Sequence, residues 1–287
     1  MAGTTIRLIE VDPRRPLHEQ VHTAAVLIPS MARIDGEVMD AAPSLELIAQ
    51  FGAGLDSVDM DAARLRGVAV RNVPGENARA LAELAVFLML ALARKLPRHR
   101  RSFDAGVVGD PPGSELHGKT LGIVGLGASG RTLSRIARGL GMEVIAIRAN
   151  PAPDADAAWV GGPSDLPELL GRADFVSLHV PMTEKTRGMI GREQLAQMKP
   201  TAFLINVGRG NLVDRDAVVE ALRERRIAGG GLDVYWQEPP DPDDPLLAMD
   251  NVVATPHVGG VTDEALARIA DRVAAILKEL AGRPPRA

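Results

Sequence analysis

The chain has 287 residues, of which 46% are hydrophobic and 24% charged, enough for two domains or one large one. Its formal net charge of −4 argues against nucleic acid or an acidic membrane surface as the main partner. It has no cysteine, which excludes disulfides, thiolate nucleophiles and cysteine-based zinc sites and fits the reducing cytoplasm, where the chain is expected.

Residues 1–15 lack the apolar core of a signal peptide. The longest apolar run, 84–93, falls far short of the roughly 20 residues a membrane span needs, so no membrane partner is expected. Residues 5–11 and 25–29 are predicted as short strands, with a turn at 12–16 and too few residues between them for a long helix. A third strand over 44–51 runs into the glycine turn Gly52-Ala53-Gly54. A helix over 59–66, capped by Gly67, precedes a strand over 68–73 that Pro74-Gly75 breaks. Residues 77–96 then form one long helix, buried on most sides and ended by Pro97. The basic run 94–101 is the solvated end of that helix, its cations complementing the helix dipole, and not a nucleic-acid site. Residues 103–114, rich in Gly and Pro, read as a loop into a second domain.

At Thr120 the pattern changes. Leu121 to Val124 is a short apolar run with β-branched members, a buried strand. It leads without a gap into Gly125-Leu126-Gly127-Ala128-Ser129-Gly130 and then into residues 131–140, where apolar side chains recur at helical spacing. Gly125 allows a tight turn, Gly127 lets the backbone approach a pyrophosphate, and Gly130 lets the helix lie close to the strand. Free N–H groups and the positive end of the helix dipole then face a diphosphate. The same glycines could make a tight turn in any glycine-rich protein; the strand–helix context favours the nucleotide. Strands over 143–148, 175–180, 202–207, 229–234 and 251–255 alternate with helices over 166–171, 192–198 and 215–226. Such alternation means an α/β fold with a parallel sheet flanked by helices, and ligands bind beyond the carboxyl ends of such strands. Chemistry is therefore expected in the loops after 180, 207, 234 and 255. A last amphipathic helix covers 262–280, and 282–287 is a frayed tail. No repeat is evident, and no motif points to a metal.

Three of those loops carry suggestive side chains: Arg209 between two glycines, Glu238 ahead of two prolines, and His257 in Thr-Pro-His-Val-Gly-Gly. Singly each has a plain explanation, as a surface ion-pair partner, a solvated loop acid and a structural histidine. Together, at successive strand ends near a dinucleotide, they form a set suited to hydride transfer. A guanidinium fork grips a carboxylate with two parallel bonds. An imidazole donates the proton that accompanies hydride arrival, and a glutamate beside it favours the imidazolium.

The motifs Gly-Ala-Gly-Leu-Asp (52–56), Val-Pro-Gly-Glu-Asn (73–77), the 125–130 turn, Leu-His-Val-Pro (178–181), Asn-Val-Gly-Arg-Gly (206–210), Leu-Asp-Val-Tyr (232–235) with Glu238, and Thr-Pro-His-Val-Gly-Gly (255–260) stand in this order. In these, and over nearly everything from Ala25 to the tail, the chain resembles the D-isomer-specific 2-hydroxyacid dehydrogenase family. The resemblance implies two Rossmann-like domains, with a dinucleotide-binding domain over 97–262 inserted into a substrate domain of 1–96 plus 263–287. It implies that His257 is the acid/base, Glu238 its partner and Arg209 a substrate ligand, with Ala53, Gly54 and Asn77 also on the substrate. Cofactor contacts are implied at Val73, Gly125, Gly127, Ala128, Ser129, Gly130, Arg148, His179, Val180, Pro181, Val207, Gly208, Asp233, Gly259 and Gly260. The long helix and the fold make a homodimer the expected assembly.

Two departures from the family bear on function. Where an acid often ends the second strand of the cofactor domain and holds the ribose hydroxyls, this chain has Arg148, which suits a 2′-phosphate, so NADP is favoured over NAD. The stretch before Ala25 is shorter than the strand–helix–strand opening usual in the family, leaving a gap for a partner chain to cover. The region of Asn77 resembles the phosphoglycerate-oxidising branch, yet Pro29 and Gln50 stand near where that branch has basic residues, leaving Arg33 as the one substitute. No lysine stands in the 52–54 turn, against the phosphite-oxidising relatives, and Glu238 in place of glutamine argues against the formate-oxidising ones. A small unphosphorylated 2-keto acid such as glyoxylate or hydroxypyruvate is the expected substrate. A phosphoglycerate-type dehydrogenase is the alternative. A cofactor-sensing protein like the co-repressors built on this fold is the competing reading from another class, and the intact Arg–Glu–His set favours the enzyme.

Overall fold

The computed structural model describes residues 7–282. The chain falls into two units, one of residues up to Asn77 with those from Asp263 onward, the other Ala78–Thr262. In the first unit β1 (Val26–Leu27), β2 (Leu47–Ala49) and β3 (Ala69–Arg71) form a parallel sheet in that order. Side chains of a strand alternate between faces, and the core divides accordingly. Ile48 packs with Val38 and Met39 of α1 (Gly36–Asp40) and with Ala62 and Ala63 of α2 (Met60–Leu65). Leu47 and Ala49 pack instead with Ile269, Val273 and Leu277, spaced by four along the closing helix Asp263–Ala281. Asp35 and Asp59 cap α1 and α2, accepting from the N–H of Val38 at 3.2 Å and of Ala62 at 2.8 Å.

Several expectations need correction. Residues 7–11 are irregular and not strand, with Leu8 and Ile9 exposed and, among the described residues, no strand paired with them; Thr5 and Ile6 of that expected strand, and residues 283–287 of the tail, lie outside the described residues. α1 was not expected, because five residues are too few to display a helical period. The expected single helix over 77–96 is two helices, α3 (Ala78–Ala93) and α4 (Leu96–Asp104). Lys95, in the left-handed region at φ +55°, separates them. Pro97 does not end a helix but occupies the first turn of α4, where its missing N–H costs nothing. The basic run is therefore a helix in its own right. Arg98 and Arg101 each reach the Asp250 carboxylate at 3.3 Å, and Arg225 pairs with it too.

The second unit is built on seven parallel strands, β4 (Thr120–Val124), β5 (Glu143–Ile147), β6 (Trp159–Gly161), β7 (Phe175–Leu178), β8 (Phe203–Asn206), β9 (Gly229–Leu232) and β10 (Val252–Ala254). Their order is β10-β9-β8-β7-β4-β5-β6. β6 was not predicted, being only three residues at the sheet edge. α5 (Ala128–Gly139) and α3 cover one face, meeting Val144 and Ala146; α6 (Leu166–Arg172), α7 (Arg192–Gln197) and α8 (Arg215–Arg223) cover the other, meeting Ile145 and Ile147. β4 lies between β5 and β7, so the connections run outward in both directions from its carboxyl end, the point where such sheets bind dinucleotides.

The boundary between units falls before α3, not after residue 96 as the sequence suggests. The reason lies in β9, whose sequence is Gly-Gly-Gly-Leu. A Cβ on Gly231 would stand 3.0 Å from Leu88 Cβ of α3, and one on Gly229 would stand 2.4 Å from the Asn251 carbonyl oxygen. Gly229 and Gly231 leave one face of β9 bare, which lets α3 lie directly on the sheet. We expect Gly229→Ala to cost about 1–3 kcal/mol of stability, since a backbone carbonyl cannot yield as a side chain can. Gly127→Ala, whose Cβ would meet nothing within 4 Å, is expected to cost less than about 1 kcal/mol. Urea midpoints of the two variants test the contrast, and equal losses would contradict this account of β9.

Candidate active site

β4 ends in the Gly125 turn, and α5 begins immediately after it. Gly125 has φ +105°, and a Cβ there would stand 2.7 Å from the backbone of His179, which follows β7. The loops after β4 and β7 thus touch through this glycine. A Cβ on Gly130 would lie 2.2 Å from the Gly125 carbonyl oxygen, so helix and strand could not approach as they do with any larger residue. Gly127 is the N-cap of α5, offers no side-chain cap, and faces open space. The first turn of α5, with Ala128 and Ser129, carries no acidic residue. Open backbone at the positive end of a helix is the environment a diphosphate requires, so the residues present fit a dinucleotide.

His179 links the two walls of this turn. Its Nε2 lies 2.9 Å from Ser177 Oγ, which is fully buried on β7, and its Nδ1 lies 3.0 Å from Ser129 Oγ. Burial of the ring lowers its pKa to about 4, so the imidazole is neutral at physiological pH. The sequence offered His179 as a cofactor neighbour; its bond to Ser129 and the buried Ser177 were not foreseen. Val180 is half-buried beside it and Pro181 is exposed. Arg148 follows β5 directly and is half-buried, with Asp154 Oδ2 3.8 Å from its Nη1.

β8, β9 and β10 are neighbours in register, with Asn206 opposite Leu232 and Leu232 opposite Ala254. Their loops therefore leave the sheet side by side, one bearing Arg209, the next Glu238, the third His257. Asn206 builds the first loop: its side chain donates to the Arg209 carbonyl at 2.9 Å and accepts from the buried Gly208 N–H at 3.2 Å. Val207 is buried there too. Arg209 donates to the Gly208 carbonyl at 2.7 Å. Gly210 lets the second loop lie against the first, since a Cβ there would overlap the Tyr235 carbonyl at 2.1 Å.

Glu238 and His257 meet. Glu238 Oε2 lies 2.6 Å from His257 Nδ1, while Oε1 accepts from the Tyr235 N–H at 3.1 Å. Both side chains keep about a quarter of their surface, 24% and 28%. His257 is in the left-handed region at φ +54°, a conformation that costs a residue with a Cβ and that recurs at functional sites. Asp233, which the sequence assigned to the cofactor, holds this loop. Fully buried, it accepts from Thr255 Oγ1 at 2.7 Å and from the N–H groups of Val258 and Gly259 at 2.8 Å each. Gly259 is buried and Gly260 half-buried beyond it. The Tyr235 hydroxyl donates to the Thr255 carbonyl at 2.9 Å; burial, with Asp233 and Glu238 nearby, pushes its pKa up to about 12, which makes it a brace and not a proton donor.

In the first unit, Val73 is buried after β3, Gly54 and Asn77 are half-buried and Ala53 is exposed. The 52–54 turn is fixed by the Asn72 side chain, which donates to the Ala53 carbonyl at 2.6 Å, and by the Val73 N–H on the Gly52 carbonyl at 3.0 Å. Among the described residues no helix is long and apolar enough to cross a membrane, and no three His, Cys, Asp or Glu side chains cluster as metal ligands.

The model of the D-isomer specific 2-hydroxyacid dehydrogenase NAD binding domain matches residues 86–259. A glyoxylate reductase of Korarchaeum cryptofilum is 43% identical over 247 residues, 84% of this chain and 74% of that one. A D-3-phosphoglycerate dehydrogenase of Methanocaldococcus jannaschii is 41% identical over 256 residues, 88% of this chain, but the match spans only 49% of that longer protein. A Thermus thermophilus protein of solved structure superposes with a TM-score of 0.86 at 40% identity, covering 96% of this chain and 89% of its own. The site geometry and these likenesses agree: the chain belongs to the D-isomer-specific 2-hydroxyacid dehydrogenase family, as an NAD(P)-dependent oxidoreductase.

Proposed function

We propose that the chain reduces a small unphosphorylated 2-keto acid, glyoxylate or hydroxypyruvate, to the corresponding 2-hydroxy acid with NADPH. The observation that carries this reading is the 2.6 Å pair of His257 Nδ1 and Glu238, on a loop adjacent to that of Arg209. Glu238 engages Nδ1, which leaves Nε2 to hold the proton destined for the substrate oxygen. The Arg209 guanidinium grips the carboxylate, with Ala53, Gly54 and Asn77 as further substrate ligands on the resemblance alone. When bound, the nicotinamide supplies the hydride that reduces the keto carbon. His257 gives its proton to the oxygen of that carbon, and Glu238 stabilises the imidazolium until it does. We assign the cofactor and the Arg209, Glu238 and His257 side chains to the second unit, and the substrate ligands Ala53, Gly54 and Asn77 belong to the first. The open backbone at Gly127 and the α5 N–H groups of Ala128 and Ser129 would hold the diphosphate, and Arg148 the 2′-phosphate of NADP. Val73, Val180, Pro181, Val207, Gly208 and Gly260 would line the rest of the cofactor site.

We expect His257→Ala to lower kcat by about 10²–10⁴-fold while leaving the dissociation constant of the nicotinamide cofactor nearly unchanged. Arg209→Lys is expected to raise KM for the keto acid, because a point charge cannot replace the fork. Both follow from steady-state kinetics at the reduced-nicotinamide absorbance band and a cofactor titration; an active His257→Ala variant would remove the histidine from the mechanism. The same assay compares cofactors and substrates. A higher kcat/KM with NADPH is expected, and parity or better with NADH would refute the preference. Faster turnover of a phosphorylated keto acid would favour the phosphoglycerate-type alternative, and cofactor binding without turnover of any would favour a sensor. We further propose a homodimer, because α3 and α4 leave Phe87, Leu90, Leu96 and Phe103 exposed, and a cytoplasmic location, which the cysteine-free sequence fits. Light scattering should then give twice the chain mass of 30.4 kDa, and Phe87→Glu should lower it; a monomer would contradict the dimer, and recovery outside the cytoplasmic fraction the location.

A further inference from the structure

Arg148 occupies the position where an acid would meet the ribose hydroxyls, yet a carboxylate returns to that place from further along the chain. The Asp154 side chain is only 6% exposed, and its Oδ2 lies 2.8 Å from Arg131 Nη1 and 3.8 Å from Arg148 Nη1. Arg131 sits on the first turns of α5, directly after the third glycine of the phosphate turn. Both guanidiniums retain about a third of their surface, 38% for Arg131 and 30% for Arg148, so both can reach a ligand.

Asp154 does not depend on Arg148 for its position. Its Oδ1 accepts from the Asp156 N–H at 3.1 Å, closing a turn within the loop. That loop is fastened to α5 by a second row of bonds. Arg135 pairs with Asp156 at 2.8 Å, Arg138 donates to the Ala155 carbonyl at 2.6 Å, and Ser134 Oγ donates to the Asp156 carbonyl. A negative charge is therefore built in against the two cations whether or not a ligand is present.

We infer that Asp154 sets the cofactor selectivity of this site. Its fixed carboxylate competes with a 2′-phosphate for Arg131 and Arg148, so it narrows the preference for NADP and lets the site accept NAD as well. A neutral 2′-hydroxyl meets no such competition. The inference rests on the reading of Arg148 as the 2′-phosphate ligand and adds Arg131 to it.

Calorimetric titration of adenosine 2′,5′-bisphosphate and of 5′-AMP, without substrate or turnover, tests it. Asp154→Asn keeps the Oδ1 acceptor for Asp156 and removes only the charge. It should tighten the bisphosphate about three- to tenfold and leave 5′-AMP within about twofold. Asp154→Ser removes the same charge with a smaller side chain and should shift the ratio of the two affinities the same way. Weaker bisphosphate binding in both variants would make Asp154 a brace for the arginines and overturn the inference, as would an equal change for both ligands. Arg148→Ala separates the two levels of the argument. If it binds both ligands as the unaltered protein does, the reading of Arg148 fails and the inference with it. If it loses discrimination while the Asp154 variants leave the ratio unmoved, the inference about Asp154 alone fails.

Discussion

The Asp233 carboxylate has no exposed surface, and it accepts three hydrogen bonds from the loop after the last strand. Burying a carboxylate costs several kcal/mol unless donors replace its water, and here two backbone N–H groups and a hydroxyl do so. All three donors belong to residues 255–259, so the groups that satisfy the acid are the groups that shape the loop. His257 lies between them at a positive φ, a conformation that costs on the order of 1–3 kcal/mol in a residue with a side chain. Asp233 over-determines the backbone on both sides of that strain. The imidazole is presented to Glu238 because a buried acid one strand away requires it.

That dependence extends through the sheet. Parallel strands in register deliver their loops to a common edge at about 4.8 Å intervals, so three side chains far apart in sequence start close together. The final approach is made by small residues and buried polar groups. Gly210 lets the Tyr235 backbone sit against the Arg209 turn, and Asn206 satisfies both ends of that turn from within the strand. After β4, within the same sheet, Gly125 and Gly130 bring strand, helix and the His179 backbone into contact, while Gly127 between them faces open space. One residue type therefore does opposite things within six positions. Only the surroundings say which glycine packs and which stays open.

Much of this was legible in the sequence because the signals were local. The strand–turn–helix of 120–139, the alternation after it and the three residues at strand ends could all be read from order and spacing. What failed was non-local. The boundary before α3 depends on Gly229 and Gly231 of β9, some 150 positions later, which admit the helix onto the sheet. Pro97 read as a stop because proline cannot continue a helix, but the same residue is well suited to begin one, and Lys95 had already broken the chain direction. The basic run looked like a helix end because Asp250, which gathers its arginines, is distant in sequence. Asp233, expected at the cofactor, also accepts from backbone donors of the 255–259 loop, which no spacing rule reveals. A charged residue at the end of a strand of three glycines and a leucine was the available hint, for an acid in so buried a place needs a partner that the neighbouring sequence does not supply.

The loop after β5 shows the same logic with arginines in place of backbone donors. Residues 149–156 include two prolines and form neither helix nor strand, so regular backbone pairing cannot hold them. Arg131, Arg135 and Arg138, spaced along one side of α5, supply the missing fastening through Asp154, Asp156 and the carbonyl of Ala155. Exposed ion pairs contribute little singly, up to about 1 kcal/mol. Here Asp154 and Asp156 are mostly enclosed, and three arginines act on one short loop, so their effect is to fix position more than to add stability. Fixing position has an electrostatic consequence, since a loop tied by arginines must bring acids with it. Where that loop borders the first turns of α5, the fastening and the local field come from the same residues, and neither can be altered without the other.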